Sequence, residues 1–151
     1  MTRPKVEYPF TKYHALGNDF LVIQLATSPG RKNWAIARRM CDRHTGAGAD
    51  GVACLSPSKK AEHRIDIYNA DGGWAEQSGN GVRIAGVWAS WNDKRQSDLH
   101  FETSHGITEV RLLTPPADET IVSASIGPPD FRVASLPMKY ARPRCIHGRI
   151  R

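Results

Sequence analysis

Residues 82–91 are apolar on almost every face. Val82, Ile84, Ala85, Val87, Trp88, Ala89 and Trp91 leave no polar stripe for water. A helix made of them is buried all round. A chain of 151 residues holds one domain with a real core. The pattern therefore calls for a central helix wrapped by strands. Trp88 and Trp91 read as core of that helix.

The flanking sequence supplies the strands. Pro9 to Tyr13 reads as a short strand, and His14 to Asp19 as a polar turn. Phe20 to Leu25 is an apolar run of strand length. Ser28-Pro29-Gly30 breaks the chain before a helix of about ten residues. In it Trp34, Ala37, Met40, Cys41 and His44 recur at helical spacing, and Gly46 marks its stop. Strands follow at Val52 to Leu55 and Arg64 to Tyr68. After the apolar helix come Leu99 to Thr103, Ile107 to Leu113 and Thr120 to Ile126, and Pro128-Pro129 ends the last. There is no internal repeat and no low-complexity segment. The fold class is α+β, a curved mixed sheet around one helix.

The chemistry concentrates at the helix start. Asn69-Ala70-Asp71-Gly72 forms a polar loop, and Ser78-Gly79-Asn80-Gly81 leads into the apolar helix. A helix N-terminus carries unpartnered N–H groups and partial positive charge, so it favours anions such as a carboxylate. Gly79 and Gly81 admit a ligand close to the backbone. Ser78 stands at the lip. Its residue type fits a helix N-cap as well as an acid/base position. Likewise, Gly79, Asn80 and Gly81 fit a carboxylate cradle or a plain turn, and Asn18 and Asn69 fit ligand-binding amides or turn formers. Asp50 reads as a surface turn rather than an orienter of a binding loop. Cys41 and His44 lie three apart with no second pair, so they read as packing groups and no metal site is expected.

Several stretches taken together resemble the diaminopimelate epimerase family. Lys12-Tyr13-His14-Ala15-Leu16-Gly17-Asn18-Asp19-Phe20 is similar to its opening motif, and Asp42 through Gly51 to its second. Asn69-Ala70-Asp71-Gly72 with Gly79-Asn80-Gly81 is similar to its active-site motif. Phe101 through Gly106 and Ile126 through Pro129 follow in order, so the resemblance covers residues 8–138. It implies a β-barrel-like sheet around a central helix, forming one of two similar lobes with the active site between them. It also implies cofactor-independent inversion at an α-carbon in lysine and cell-wall precursor synthesis. In that scheme one thiolate removes a proton and a second cysteine delivers one to the opposite face.

The resemblance further implies roles for single residues. Gly79, Asn80 and Gly81 would seat the substrate α-carboxylate, and Asn18 and Asn69 its distal amino and carboxyl groups. Ser78 occupies the place of the family's catalytic cysteine. A thiol is drawn toward ionisation at a helix N-terminus, whereas a hydroxyl stays neutral at pH 7. Residues 1–138 then form one lobe, and residues 139–151 a basic tail that is disordered or a non-native terminus. The expected partners are a small amino-acid substrate and a second lobe or a second copy of the chain. Two alternatives stay open: a one-base dehydratase or racemase of the similar proline racemase superfamily, and a half-length module that binds an amino acid without turnover.

Charge and cysteine usage narrow the remaining classes. The net charge is +6, but Lys139, Arg142, Arg144, Arg149 and Arg151 supply five of those charges in a segment without an acid. With no recognised motif or aromatic–basic platform beside it, that charge does not point to nucleic acid. No apolar run reaches the roughly 20 residues that cross a membrane. Met1 to Lys5 leads into no apolar stretch, so no secretory leader is expected. Cys41, Cys54 and Cys145 are an odd, sparse set that fits a reducing cytoplasm.

Overall fold

The computed structural model describes residues 7–92 and 98–128, together with the backbone of 145–146 and 149–150. Its strands are β1 (Phe10–Ala15), β2 (Asn18–Gln24), β3 (Gly51–Ser56), β4 (His63–Asn69), β5 (Trp74–Ala75), β6 (Asp98–Thr103), β7 (Gly106–Leu112) and β8 (Val122–Ala124). They form one eight-stranded sheet in the order β1-β2-β3-β4-β6-β7-β8, with β5 paired to β4. The helices are α1 (Ala35–Cys41) and α2 (Gly79–Asn92). A separate antiparallel pair, β9 (Cys145–Ile146) and β10 (Arg149–Ile150), falls in the basic segment. The rest of 129–151 lies outside the described residues.

Two parallel pairings set the topology, β2 with β3 and β4 with β6. Parallel neighbours need a crossover connection. The first passes through α1 and the second through α2. The helices cover opposite faces of the sheet. Phe20, Val22, Ala53 and Leu55 pack toward α2 with Ile84, Ala85 and Trp88. Leu21, Ile23, Val52 and Cys54 pack toward α1 with Ala37 and Cys41. Side chains alternate along each strand, so β3, covered on both faces, is buried at every residue. Both edge strands, β1 and β8, still touch α2, so the sheet curls into a half-barrel around that helix.

The expected α+β architecture is present, with local differences, among them a last strand confined to Val122–Ala124. The hairpin turn is only Leu16-Gly17, both in the left-handed region at φ 53° and 88°, so β1 and β2 run longer than expected. The helix before β3 ends at Cys41, and His44 is exposed, not packed. Its cause is Asp42, whose carboxylate accepts from the N–H groups of His44 and Thr45 at 2.8 and 2.7 Å and draws them out of the helix. Trp34 precedes α1 and packs against Tyr68, with ring centres 5.3 Å apart. In α2, Trp88 is core as expected, but Trp91 is 56% exposed. The strands wrap α2 only as far as Ser90, and the final turn emerges from the barrel.

The helix approaches the sheet closely at Gly86, where a Cβ would stand 2.5 Å from Val110 Cγ1. In an open helix Gly→Ala stabilises by up to about 1 kcal/mol. Here Gly86→Ala is expected to destabilise by about 1–3 kcal/mol in urea unfolding. Adding Val110→Ala to Gly86→Ala should cost less than the two single changes predict together, because the shared clash is relieved. Additive losses would contradict this packing.

Candidate active site at the start of the central helix

The helix start is built by Ser78. Its Oγ accepts from the Gly81 N–H at 3.1 Å, and its carbonyl accepts from the Val82 N–H at 2.9 Å. Ser78 is thus the N-cap of α2. Gly79, Asn80 and Gly81 form the helix's first turn rather than a loop before it. Among the described residues, the N–H groups of Gly79 and Asn80 are left as the donors of this helix end. Gly81 is required by space, since a Cβ there would stand 2.7 Å from Ile67 Cδ1. Gly79 has an ordinary helical φ, so no left-handed backbone demands glycine at that position. The mouth opens beside a shallow crevice with Ile67 and Val82 on its floor and Trp74, Gln77, Ser78 and Ser104 at its rim.

The other expected residues lie at the same end of the sheet. β2 starts at Asn18, β3 starts at Gly51 and β4 ends at Asn69, with Gly51 opposite Asn69. Asn18 joins the helix start directly: Asn80 Nδ2 donates to Asn18 Oδ1 at 3.1 Å. Asn69 is exposed, and only the sheet register brings it near. Its backbone closes the turn that follows, the Gly72 N–H donating to its carbonyl at 2.9 Å. Six expected residues therefore gather at one end of the half-barrel, five of them in a continuous hydrogen-bonded or chain-adjacent group.

Charged residues that were not expected to matter brace this end. Asn18 Nδ2 donates to Asp50 Oδ2 at 3.0 Å, and the Asp19 N–H donates to the same oxygen at 3.1 Å. Asp50 thus ties the residue before β3 to the start of β2. Arg43 Nη2 donates to Asp19 Oδ1 at 2.7 Å and to Asp50 Oδ1 at 2.9 Å. Lys12 Nζ lies 3.1 Å from Asp19 Oδ2. Hydrogen bonds from Arg43, aided by Lys12, hold the Asp19 carboxyl well below the usual carboxylate range. At the far side, the Arg83 guanidinium donates to Asn80 Oδ1 and lies over Gly79. Arg83 was not singled out in the sequence, because its contact with Asn80 follows only from helix geometry, and the bonds of Asp50 to Asn18 and Asp19 join residues distant in the chain.

No thiol serves this mouth among the described residues. Cys41 and Cys54 are both buried in the core beneath α1. Burial pushes the Cys41 thiol up to about 11, with the Asp19 charge adding to it. Burial raises the Cys54 thiol further still. Both stay neutral at pH 7 and are poor nucleophiles or bases. The Ser78 hydroxyl accepts the cap bond and keeps its own proton free to donate.

Comparison with known proteins first defines the fold. A hydroxyproline epimerase from Agrobacterium vitis superposes with a TM-score of 0.55 at 15% identity, over 70% of this chain and 37% of that one. A probable proline racemase from Agrobacterium radiobacter gives a TM-score of 0.55 at 16% identity, over 70% of this chain and 37% of that one. At such identities the likeness is one of fold, the half-barrel-on-helix lobe found in these racemase and epimerase structures.

The sequence then gives the family. The family model described as diaminopimelate epimerase matches residues 10–131, and the chain belongs to that family. Diaminopimelate epimerase of Halothermothrix orenii is 34% identical over 136 residues, covering 88% of this chain and 48% of its own length. That of Heliobacterium modesticaldum is 38% identical over 136 residues, covering 85% and 48%. The chain spans about half the length of the curated relatives it matches.

Replacing Ser78 separates its cap role from the chemistry available at its position. Ser78→Ala is expected to cost about 1 kcal/mol in urea unfolding, the usual worth of a helix cap. Ser78→Cys, made with Cys145→Ser, should give a thiol that titrates below the ordinary value of about 8.5 in an alkylation-rate pH profile. An unshifted thiol would mean that the helix end exerts no useful field at this position.

Proposed function

We propose that this chain is one lobe of an amino-acid epimerase of the diaminopimelate epimerase type. Its substrate would be a small amino acid with carboxylates at both ends, handled without a cofactor. Its setting would be lysine and cell-wall precursor synthesis in the cytoplasm. The observation that carries this reading is the polar mouth of α2. Ser78 caps the helix, two first-turn N–H groups remain, and Asn18 is tied to Asn80 beside them.

The lobe's own residues would act as follows. The free N–H groups of Gly79 and Asn80 would hold the α-carboxylate and favour the charge that develops on its oxygens as the α-proton leaves. Asn18 and Asn69 would orient the distal groups. By the resemblance of its motif, Ser78 Oγ would stand in place of the family's catalytic thiol and would donate its proton or a hydrogen bond. A neutral hydroxyl is a far weaker base than a thiolate. Inversion also needs an acid and a base on opposite faces of the carbon. The second face would come from another lobe, which would cover exposed apolar side chains such as Ile126, 66% exposed and bonded through its carbonyl to Gln77 beside the mouth.

A second reading keeps the site and drops the turnover: a lobe that binds an amino acid. It is favoured by Ser78 being committed to the cap and by both described thiols being buried elsewhere. A one-base dehydratase of the proline racemase type is the third.

The chain alone is expected to bind meso-diaminopimelate weakly and to exchange none of its α-protons. Incubation in deuterium oxide followed by mass spectrometry checks this against a Ser78→Ala control. Deuterium uptake clearly above the control would contradict the need for a second face. Release of water from a hydroxylated amino acid would instead identify the dehydratase. Failure to bind any dicarboxylic amino acid would overturn the site itself.

A further inference from the structure

Asp50 and Arg83 stand at the two ends of a single hydrogen-bonded row. Asp50 Oδ2 accepts from Asn18 Nδ2 at 3.0 Å, and Asn18 Oδ1 accepts from Asn80 Nδ2 at 3.1 Å. Asn80 Oδ1 then accepts from the Arg83 guanidinium. An ionised carboxylate only accepts and a guanidinium only donates. Each side-chain amide between them has one accepting and one donating end. With these end groups only one orientation of both amides satisfies every link. Turning either amide over would set an NH2 group against a donor or an oxygen against an acceptor.

From this row we infer that Asp50 is a positioning residue, which orients the Asn18 and Asn80 amides at the mouth of α2 for a bound amino acid. The inference rests on the functional reading of that mouth. Asp50 is itself fixed. Its Oδ1 accepts from Arg43 at 2.9 Å, and its Oδ2 also accepts from the Asp19 N–H at 3.1 Å. Its own N–H donates to Asp19 Oδ1 at 2.9 Å. Asn18 and Asn80 each keep one N–H and one lone pair outside the row. Those free groups point the same way in every molecule only while the row holds. Preformed polar groups of this kind avoid the ordering cost that a freely turning amide imposes on binding.

The row also assigns a place to Arg83. Positive charge near a helix N-terminus opposes the helix dipole. Arg83 nevertheless turns back over the first turn, because Asn80 Oδ1 offers it an acceptor there. The guanidinium thereby closes the row and adds positive charge where a carboxylate would sit.

The test compares the wild-type chain with Asp50→Asn and Asn80→Asp. In Asp50→Asn, Arg43 keeps its two bonds to Asp19 at 2.7 and 3.1 Å, so the loop retains its anchor. Both ends of the position 50 side chain face donors, Arg43 at one and Asn18 with the Asp19 N–H at the other, so an amide there sets its NH2 against one of them, and the Asn18 side-chain NH2 signals in ligand-free NMR spectra should move and broaden. Binding of meso-diaminopimelate, read by ligand-observed NMR, should weaken by about tenfold. In Asn80→Asp the Asn18 amide stands between two carboxylates and its NH2 can donate to either, so its signals should move as well, and binding should weaken because negative charge is added where a carboxylate would sit. Unchanged Asn18 signals in Asp50→Asn would overturn the inference. Moved signals with undiminished binding would also overturn it. A wild type that binds no meso-diaminopimelate would overturn the functional reading alone, leaving the orientation of the row to be judged from the ligand-free spectra.

Discussion

The burial of α2 inside the curled sheet is the constraint on which the rest depends. Val82, Ile84, Ala85, Trp88 and Ala89 are all buried, and only a narrow stripe through Arg83, Val87 and Trp91 reaches solvent. The sheet therefore meets it from several sides, and both edge strands touch it. Each buried large side chain contributes roughly 1.5–3 kcal/mol relative to exposure. Gly86 lets Val110 approach the helix backbone, and Gly81 lets Ile67 do the same at its start. The same enclosure fixes where α2 begins. Its N-terminus is held at the end of the sheet where β2 and β3 begin and β4 finishes.

That placement turns an ordinary helix end into a polar mouth. A cap, a row of oriented amides and a braced pair of carboxylates surround two free N–H groups. The charges alternate along the arrangement: Lys12, Asp19, Arg43 and Asp50 on the loop side, then Arg83 beside the helix. Exposed ion pairs contribute little one by one. Here Lys12, Asp19, Arg43 and Asp50 join the starts of β2 and β3 to the loop after α1 in one network. A second network ties β4 to β6 far from the mouth. There Arg64 bridges Asp66 and Glu102, and Ser28 Oγ donates to Asp66 at 2.6 Å. It reinforces the short parallel pairing that carries the crossover through α2.

Much of this was legible from local pattern. The all-apolar stretch at 82–91 predicts a wrapped helix, and apolar runs such as Phe20 to Leu25 predict strands. The strand at Trp74–Ala75 was not legible, because two residues carry no period. The early end of α1 was missed because one aspartate side chain outcompetes helical hydrogen bonds. Trp91 was misplaced because helical spacing cannot tell where the surrounding sheet stops. At the site, Ser78 and the Gly79–Gly81 turn follow from the rules of helix starts. Asp50 does not, for its bond to Asn18 spans 32 residues and exists only once β2 and β3 lie side by side.

The central claim is that the first turn of α2 is the seat of a carboxylate. The most direct measurement is an acetate titration of the chain labelled with nitrogen-15 at glycine. The amide signals of Gly79 and Gly81 should move progressively with acetate. That of Gly86, buried seven residues further along α2, should stay in place. Equal shifts at all glycines, or none at Gly79 and Gly81, would show that Ser78 caps a helix and that no ligand seat lies behind it.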